Sequence, residues 1–197
     1  PFLGKTPPVL VDWLPWNHTF GGNHNFNMVL KQGGSLYIDG GKPVPGLIEV
    51  TARNLVKINT KGDVLDGSTY PVNRAGFVIH SAIHAARADA HCVMHSHTTA
   101  GVAVACKDSG LRSDNFYSAM LHGQLAYHEF EGVTTNLDEC PRLVKSLGDK
   151  NVMLLRNHGL LVCGATIGRA YHMMLNLEKS CKIQLAAMQS GGTLIKL

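Results

Sequence analysis

The clearest hydrophobic pattern lies in the middle of the chain, where two elements of different periodicity follow one another. From Asn73 to Ala88, small and apolar residues recur at intervals of three and four, which predicts a helix buried over a broad face. The period then changes to two, and in the segment AHCVMHSH the side chains of Val93, His95 and His97 fall on one face of a strand. The pattern therefore predicts a helix followed by a strand that carries two histidines on one side.

The second half of the chain continues this alternation. A helix is predicted at 140–147, ended by Gly148, and it is followed by two apolar strands at 152–155 and 160–163. A terminal helix is predicted from the N-cap Thr166 to about Gln189. Shorter stretches are predicted as a helix beginning at 99–105 and a strand at 133–134, while 113–122 fits either type.

The first third of the chain has a different composition. Residues 1–46 are rich in Gly, Pro and Asn, which favours turns and short strands, and we expect 1–20 to be irregular. A strand at 55–59 and a turn at 61–63 make a hairpin plausible. Strands and helices alternate without an internal repeat or a linker, so we expect one α/β domain over 1–197.

Composition narrows the class of protein. The chain has 197 residues, of which 45% are hydrophobic and 16% charged, so it can bury a core. Its net charge of +4 is spread along the sequence without a basic run, which argues against nucleic-acid binding. Five cysteines without a CxxC pair argue against a disulfide framework, and no apolar run is long enough to span a membrane. We therefore expect a soluble cytoplasmic protein with neither nucleic-acid nor membrane partners.

Two histidines on one strand suggest a metal site. His95 and His97 leave the same face with backbones about 6–7 Å apart, so two ring nitrogens can approach one ion. Three protein ligands and one open position are typical of catalytic zinc. His158 is the best candidate for the third ligand, because it lies in a turn between two apolar strands, where an unused polar side chain is costly. The alternative is a pair of ordinary histidines, and spacing alone does not show that the two segments meet.

A family resemblance supplies that connection. The segments AGFVIHSAIHAARADAHCVMHSHTTAGVAVACKDSGL, LAYHEFEGV and LRNHGLLVCGATIGRAYHMMLNLEKSCKIQ resemble the class II aldolase/adducin head-domain family over Gly21–Gly192. The resemblance implies a three-layer α/β/α sandwich with a mainly antiparallel central sheet, often assembled as a homotetramer with active sites between subunits. It also implies that His95, His97 and His158 match the family's zinc ligands, so we expect Zn²⁺, or another divalent metal such as Mn²⁺ or Co²⁺.

The sequence departs from the family's sugar-phosphate aldolases at one important position. Those enzymes carry a glutamate before the first histidine ligand that moves protons and binds the metal when substrate is absent. An alignment without gaps places Gly76 there, and no acidic residue lies between Arg74 and Arg87. The serines that hold a substrate phosphate are also replaced, by Arg74 and Ala75. The chain thus resembles the adducin-like branch, and a phosphorylated substrate is not expected.

Another group must then transfer protons if the protein is a catalyst. We select His122 and Tyr127, because a related dehydratase branch places its acid/base in this part of the chain. The alternative for this region is a packed Tyr127 beside solvated loop residues, His128 and Glu129. Acid/base catalysis would require one of these groups to lie within hydrogen-bond reach of the substrate.

Other polar residues have weaker indications. Asn23 and Asn25 lie where the family has a Gly-Asn loop near the substrate, so they are candidate donors to an anionic group, as is the backbone at Gly76. Packing or turn formation explains the loop equally well. His80 and His84 have the spacing of neighbours on one helix face, for which a structural role is the preferred interpretation.

These observations lead to a functional expectation. We expect a metal-dependent lyase of the aldolase or decarboxylase type, acting on a small hydroxy-carbonyl or keto acid through a metal-stabilised enolate. A dehydratase or epimerase is an alternative that uses the same metal. The competing class is a non-catalytic binding or assembly module like the adducin head, and Gly76 is the feature that favours it.

Overall fold

The structure alternates strands and helices from the first third of the chain to its end. The computed structural model describes residues 56–70, 72, 75–132, 137–192 and 195, and the backbone alone of residues 9–12, 35–38 and 74. In chain order the elements are β1 (Val9–Asp12), β2 (Ser35–Ile38), α1 (Arg74–Ala86), β3 (Cys92–Ser96), α2 (Thr99–Ala105), α3 (Phe116–Ala119), β4 (Leu125–His128), a short 3-10 helix (Leu137–Glu139), α4 (Cys140–Leu147), β5 (Val152–Leu155), β6 (Gly159–Gly164) and α5 (Ile167–Gln189).

Four of the strands form one mixed sheet in the order β3-β6-β5-β4. β6 runs antiparallel to both of its neighbours, β3 and β5. β4 runs parallel to β5, because the chain crosses over through α4 between these two strands. The expected mainly antiparallel sheet is therefore confirmed, with β4 as its parallel exception, while β1 and β2 pair in parallel in a separate two-stranded sheet.

Helices cover both faces of the four-stranded sheet. One apolar cluster joins one sheet face to α2 and α5, and a second cluster joins the other face to α1 and α4. The predicted three-layer sandwich is thus confirmed. β5 and β6 are buried on both faces, which explains why VMLL and LLVC read as continuous apolar runs rather than as alternating ones.

The predicted helix boundaries follow local capping rules. Thr166 caps α5 by accepting a hydrogen bond from the backbone N–H of Arg169 at 3.2 Å. Gly148 ends α4 with a φ of +56°, a conformation that favours glycine. The helices predicted at 73–88, 99–105, 140–147 and 166–189 are each confirmed to within a few residues.

Other predictions differ from the structure or fall on residues that it does not describe. The predicted hairpin near 55–64 is short: in its described residues it consists of an antiparallel bridge between Ile58 and Val64 around Gly62. Strand β1 lies inside the segment 1–20 that was expected to be irregular, and the strand predicted at 133–134 lies outside the described residues. Of the ambiguous segment 113–122, four residues form α3. Strand β4 was not predicted, because its sequence LAYH has no β-branched residue.

Within the described part of the chain, no helix combines the length and the apolar character needed to cross a membrane.

The packing of α2 gives a testable prediction about stability. A Cβ added at Gly101 would lie 2.6 Å from Cγ of Leu160 and 2.7 Å from Oγ1 of Thr98. We expect Gly101→Ala to lower the free energy of unfolding by about 1–3 kcal/mol, because the overpacking outweighs alanine's better helix propensity. Thermal and urea unfolding would measure it.

Gly168→Ala is the matched control for this prediction. Gly168 also lies in the first turn of a helix, but an added Cβ meets nothing within 4 Å. We expect this variant to be as stable as wild type or slightly more so. Equal stability of the two variants would contradict the packing argument.

Candidate metal centre

Three histidine rings meet at one end of the sheet's strands. His95 lies on β3, His97 follows the end of that strand, and His158 lies in the turn between β5 and β6. The centroid of the His95 ring lies 4.5 Å from that of the His97 ring and 4.8 Å from that of the His158 ring. The centroids of the His97 and His158 rings are also 4.8 Å apart. One ligand nitrogen from each ring lies within 4.8 Å of the other two. The predicted convergence of two distant segments is therefore present in the fold.

The pairing of β3 with β6 produces this convergence. Ser96 pairs with Leu160 and His95 with Leu161, so the start of β6 lies beside the end of β3. The adjoining turn has Asn157 at a φ of +53°, which asparagine tolerates better than most residues. At Gly159, an added Cβ would lie 2.4 Å from the carbonyl oxygen of Ser96. The glycine of the Asn-His-Gly sequence thus permits the close approach that brings His158 to the strand.

One hydrogen bond defines the orientation of the His95 ring. Its Nδ1 lies 2.8 Å from the carbonyl oxygen of Leu160, an acceptor, so Nδ1 carries the proton and donates. Nε2 then carries a lone pair, and it lies 2.7 Å from Nε2 of His97. A backbone carbonyl that fixes the tautomer in this way is the usual outer partner of a metal-binding histidine.

The electrostatic environment keeps the rings of His95 and His158 neutral. Burial, followed by the nearby His97, His158 and His80, holds the pKa of His95 well below its usual 6.5. Burial, followed by His97 and His128, lowers the pKa of His158 to about 4. A neutral imidazole is the form that binds a metal, so both rings are ready to act as ligands at neutral pH.

The donor set fits the divalent metal that the family implies. Three imidazole nitrogens within 4.8 Å of one another, with one ring fixed through its other nitrogen, match a three-ligand zinc site. Among the described residues, no carboxylate or thiolate belongs to the cluster. His97 is the exposed member of the three, so the open side of the site faces solvent through that ring.

Helix α1 packs on the sheet face to which His95 belongs. Its sequence, RAGFVIHSAIHAA, contains no acidic residue, and half-buried Gly76 lies in its first turn. His80, one turn later, is close enough to lower the pKa of His95. Nδ1 of His84 donates to the carbonyl oxygen of Ala90 at 2.8 Å, which gives His84 the structural role expected of it.

The candidate acid/base residues do not join the cluster within one chain. Tyr127 pairs with Leu154 on the sheet face opposite that of His95, and its hydroxyl accepts a hydrogen bond from the backbone N–H of Leu111 at 3.1 Å. His122 is exposed in the turn before β4, at the start of the strands, whereas His158 follows the end of β5. These two ends of the strands are about 10 Å apart, the length of a four-residue strand.

Other polar residues near the site have structural partners, or lie elsewhere. Arg156, beside His158, donates to the carbonyl oxygens of Lys107 and Asp108 and lies over the Tyr127 ring at 4.4 Å. It therefore links the ligand turn to the segment after α2. The candidate substrate-binding residues Asn23 and Asn25 lie outside the described residues.

A buried polar network near His158 was not identified from the sequence. His128, considered as a solvated loop residue, is in fact only 4% exposed and ends β4. Its Nε2 lies 3.2 Å from Oε1 of Glu139, and its Nδ1 lies 3.0 Å from Oγ of Ser146. Leu125–His128 is buried at alternate positions, as in a strand, but the letters LAYH do not show this alternation.

Comparison with known proteins identifies the family. The model of the class II aldolase and adducin N-terminal domain matches residues 16–185. The chain belongs to this family. It is 44% identical to rat alpha-adducin over 147 residues, which are 73% of this chain and 20% of adducin.

Two solved structures support the assignment to this family. An aldolase II superfamily protein from Pseudomonas syringae is 46% identical, with a TM-score of 0.70 over 75% of this chain and 60% of the other. An L-fuculose 1-phosphate aldolase from Glaciozyma antarctica is 33% identical, with a TM-score of 0.64 over 75% and 57%. The chain also spans little more than half the length of its bacterial sequence relatives.

The close approach at Gly159 predicts a specific loss of metal binding. In Gly159→Ala the new Cβ would press on the Ser96 carbonyl and on Cδ2 of His97, 3.0 Å away. We expect the metal affinity to fall by at least about ten-fold, the size of effect seen when the outer partners of a metal site are removed. Calorimetric titration with Zn²⁺ or Co²⁺ would measure it. Gly192→Ala, where an added Cβ meets nothing within 4 Å, is the control and should bind like wild type.

The depressed histidine pKa values predict how the metal-free protein responds to acid. Burial, and then His84, lowers the pKa of His80 to about 4 in the folded state, against 6.5 in the unfolded chain. The unfolded state therefore gains protons first, and stability present above pH 6.5 declines as the pH falls toward 4. For His80 alone the loss is on the order of 3 kcal/mol, and His95 and His158 contribute in the same direction.

Urea unfolding at several pH values tests this prediction. His80→Leu should flatten the slope of stability against pH between 6.5 and 4.5. Ile79→Val, a change at the neighbouring buried position, should lower stability by a similar amount at every pH. A wild-type slope in His80→Leu would show that His80 does not cause the acid sensitivity.

Proposed function

We propose that this protein is a divalent-metal-dependent lyase of the aldolase or decarboxylase type. Its substrate would be a small, non-phosphorylated hydroxy-carbonyl or keto acid. The observation that carries the proposal is the cluster of three imidazoles, two of them with depressed pKa values, whose exposed side is formed by His97. Both adducin and aldolase relatives belong to the family, so the family alone does not decide between binding and catalysis.

The chain's own residues would hold the ion and direct it. His95, His97 and His158 would bind Zn²⁺, Mn²⁺ or Co²⁺, and the Leu160 carbonyl would keep Nε2 of His95 in its ligating form. When bound, the ion would supply a Lewis acid to a substrate oxygen. The apolar cluster beneath β3 and β6 would exclude water from one side of the site, leaving substrate to enter on the side of His97.

The substrate proposal rests on α1. A helix without a carboxylate at this position cannot provide the proton carrier of the sugar-phosphate aldolases, and Gly76 leaves only backbone where that group would stand. A small substrate could therefore approach the first turn of α1 closely. We retain Asn23, Asn25 and Gly76 as candidate contacts for its polar groups.

Proton transfer would then depend on a second copy of the chain. His122 and Tyr127 lie away from the cluster of their own chain, so either could act only in the site of a neighbouring subunit. Exposed His122 suits that role better than Tyr127, whose hydroxyl is already bonded to Leu111. We accordingly propose a homotetramer with sites between subunits, and a cytoplasmic location consistent with five unpaired cysteines.

The alternative function is a binding or assembly module. It is favoured by the 44% identity to alpha-adducin and by the absence of an acidic residue from α1. A metal-dependent dehydratase or epimerase remains a second catalytic candidate, because it would use the same three ligands.

One experiment separates these functions. The purified protein would be stripped with a chelator, reloaded with Zn²⁺, Mn²⁺ or Co²⁺, and assayed for metal content and for turnover of a panel of hydroxy-keto acids. We expect one ion per chain, and turnover that the chelator abolishes. His95→Ala should lose the metal and at least about 100-fold of the activity.

His91→Ala, an exposed histidine just before β3, is the control and should keep both metal and activity. Stoichiometric metal without turnover of any substrate, together with an assembly defect in His95→Ala, would favour the binding module. Dehydrated or epimerised products would instead identify the second catalytic candidate.

A further inference from the structure

The three metal-binding candidates are not held equally well by their surroundings. His95 and His158 are partly buried, whereas His97 is exposed. An exposed side chain loses more rotamer freedom when it becomes fixed on a ligand. The backbone that carries His97 therefore has a larger part in determining where its ring points.

Thr98, the residue after His97, joins three parts of the structure. It ends the extended segment of β3 with φ −62° and ψ 145°, and it is the N-cap of α2. Its Oγ1 accepts a hydrogen bond from the backbone N–H of Gly101 at 3.2 Å. The same hydroxyl donates a hydrogen bond to Oε2 of Glu178, on α5.

Glu178 is well placed to hold Thr98 firmly. Its side chain is 15% exposed, and its second oxygen, Oε1, lies 3.2 Å from Nζ of Lys182 one turn along the same helix. The two carboxylate oxygens thus have separate partners. A charge-assisted hydrogen bond of this kind is stronger and more directional than one between neutral groups.

We propose that Glu178 is a positioning residue for metal capture. Through Thr98, it fixes the backbone that carries His97 so that this ring faces His95 and His158. The proposal rests on the proposed function, because it assumes that the three histidines bind a divalent ion. It adds a carboxylate on a distant helix that sets the affinity of the site without touching the ion.

A simpler role for the pair would be to stabilise α2 or α5. In that case Thr98 would act only as a helix cap, and Glu178 only as a helix surface residue. The two roles differ in their consequences, because a structural defect lowers the melting temperature of the metal-free protein without changing the geometry of the ligands.

The test measures Co²⁺ binding to the whole chain by calorimetry and by visible absorption. We expect Thr98→Val and Glu178→Ala each to weaken Co²⁺ binding by roughly ten-fold and to alter the absorption bands of the bound ion. The double variant should bind no more weakly than Thr98→Val alone, since both changes break one interaction.

Conservative and matched variants make the result specific. Thr98→Ser keeps the hydroxyl, so it should bind Co²⁺ within about two-fold of wild type. Glu178→Gln keeps an acceptor oxygen but loses the charge, so its affinity should lie between those of wild type and Glu178→Ala. Ser180→Ala is the matched control on α5, because it removes a buried hydrogen bond to the Asn176 carbonyl without contacting Thr98. It should lower the melting temperature and leave Co²⁺ binding and its spectrum unchanged.

The outcomes are distinguishable. If Glu178→Ala binds Co²⁺ with wild-type affinity, whether or not Thr98→Val binds it more weakly, the positioning role is overturned. The metal site itself would remain in place. A weakening in Ser180→Ala equal to that in Glu178→Ala would overturn it too, since general destabilisation would then explain both. If the wild-type chain binds no divalent ion, this inference and the proposed function fail together.

Discussion

The pairing of β3 with β6 is the constraint on which the rest of the site depends. It sets His95 opposite Leu161 and brings the start of β6 against the end of β3. Because side chains alternate along a strand, a slip of one residue would turn His95 to the opposite face of the sheet. It would also move the turn that carries His158. The buried apolar side chains on both faces of β6 are therefore what keeps the imidazoles together.

The sequence predicted the parts of this fold whose signals are local. Helical spacing and caps identified α1, α4 and α5, and the alternation of AHCVMHSH placed His95 on a strand. Pairing between distant segments has no local signal, so the meeting of His95 with His158 came from family resemblance. The burial of His128 was missed for the same reason, since its partners Glu139 and Ser146 come later in the chain.

The groups around the imidazoles, rather than the imidazoles themselves, distinguish a catalyst from a binding module. The three rings, the tautomer of His95 and the depressed pKa values of His95 and His158 suit either a working or a purely structural ion. The neighbouring helix, α1, contains Gly76 and His80 and no acidic residue.

The order of strands in the sheet has a consequence for the way the protein is made. Among the described residues β6 is the last strand, yet it occupies an inner position, between β3 and β5. While the ribosome is still synthesising the chain, β3 has no neighbour on the side where β6 will pair. A nascent chain that ends before residue 158 carries His95 and His97 without the third imidazole, and contacts between such distant segments form slowly. The three imidazoles can therefore come together only after β6 has been synthesised.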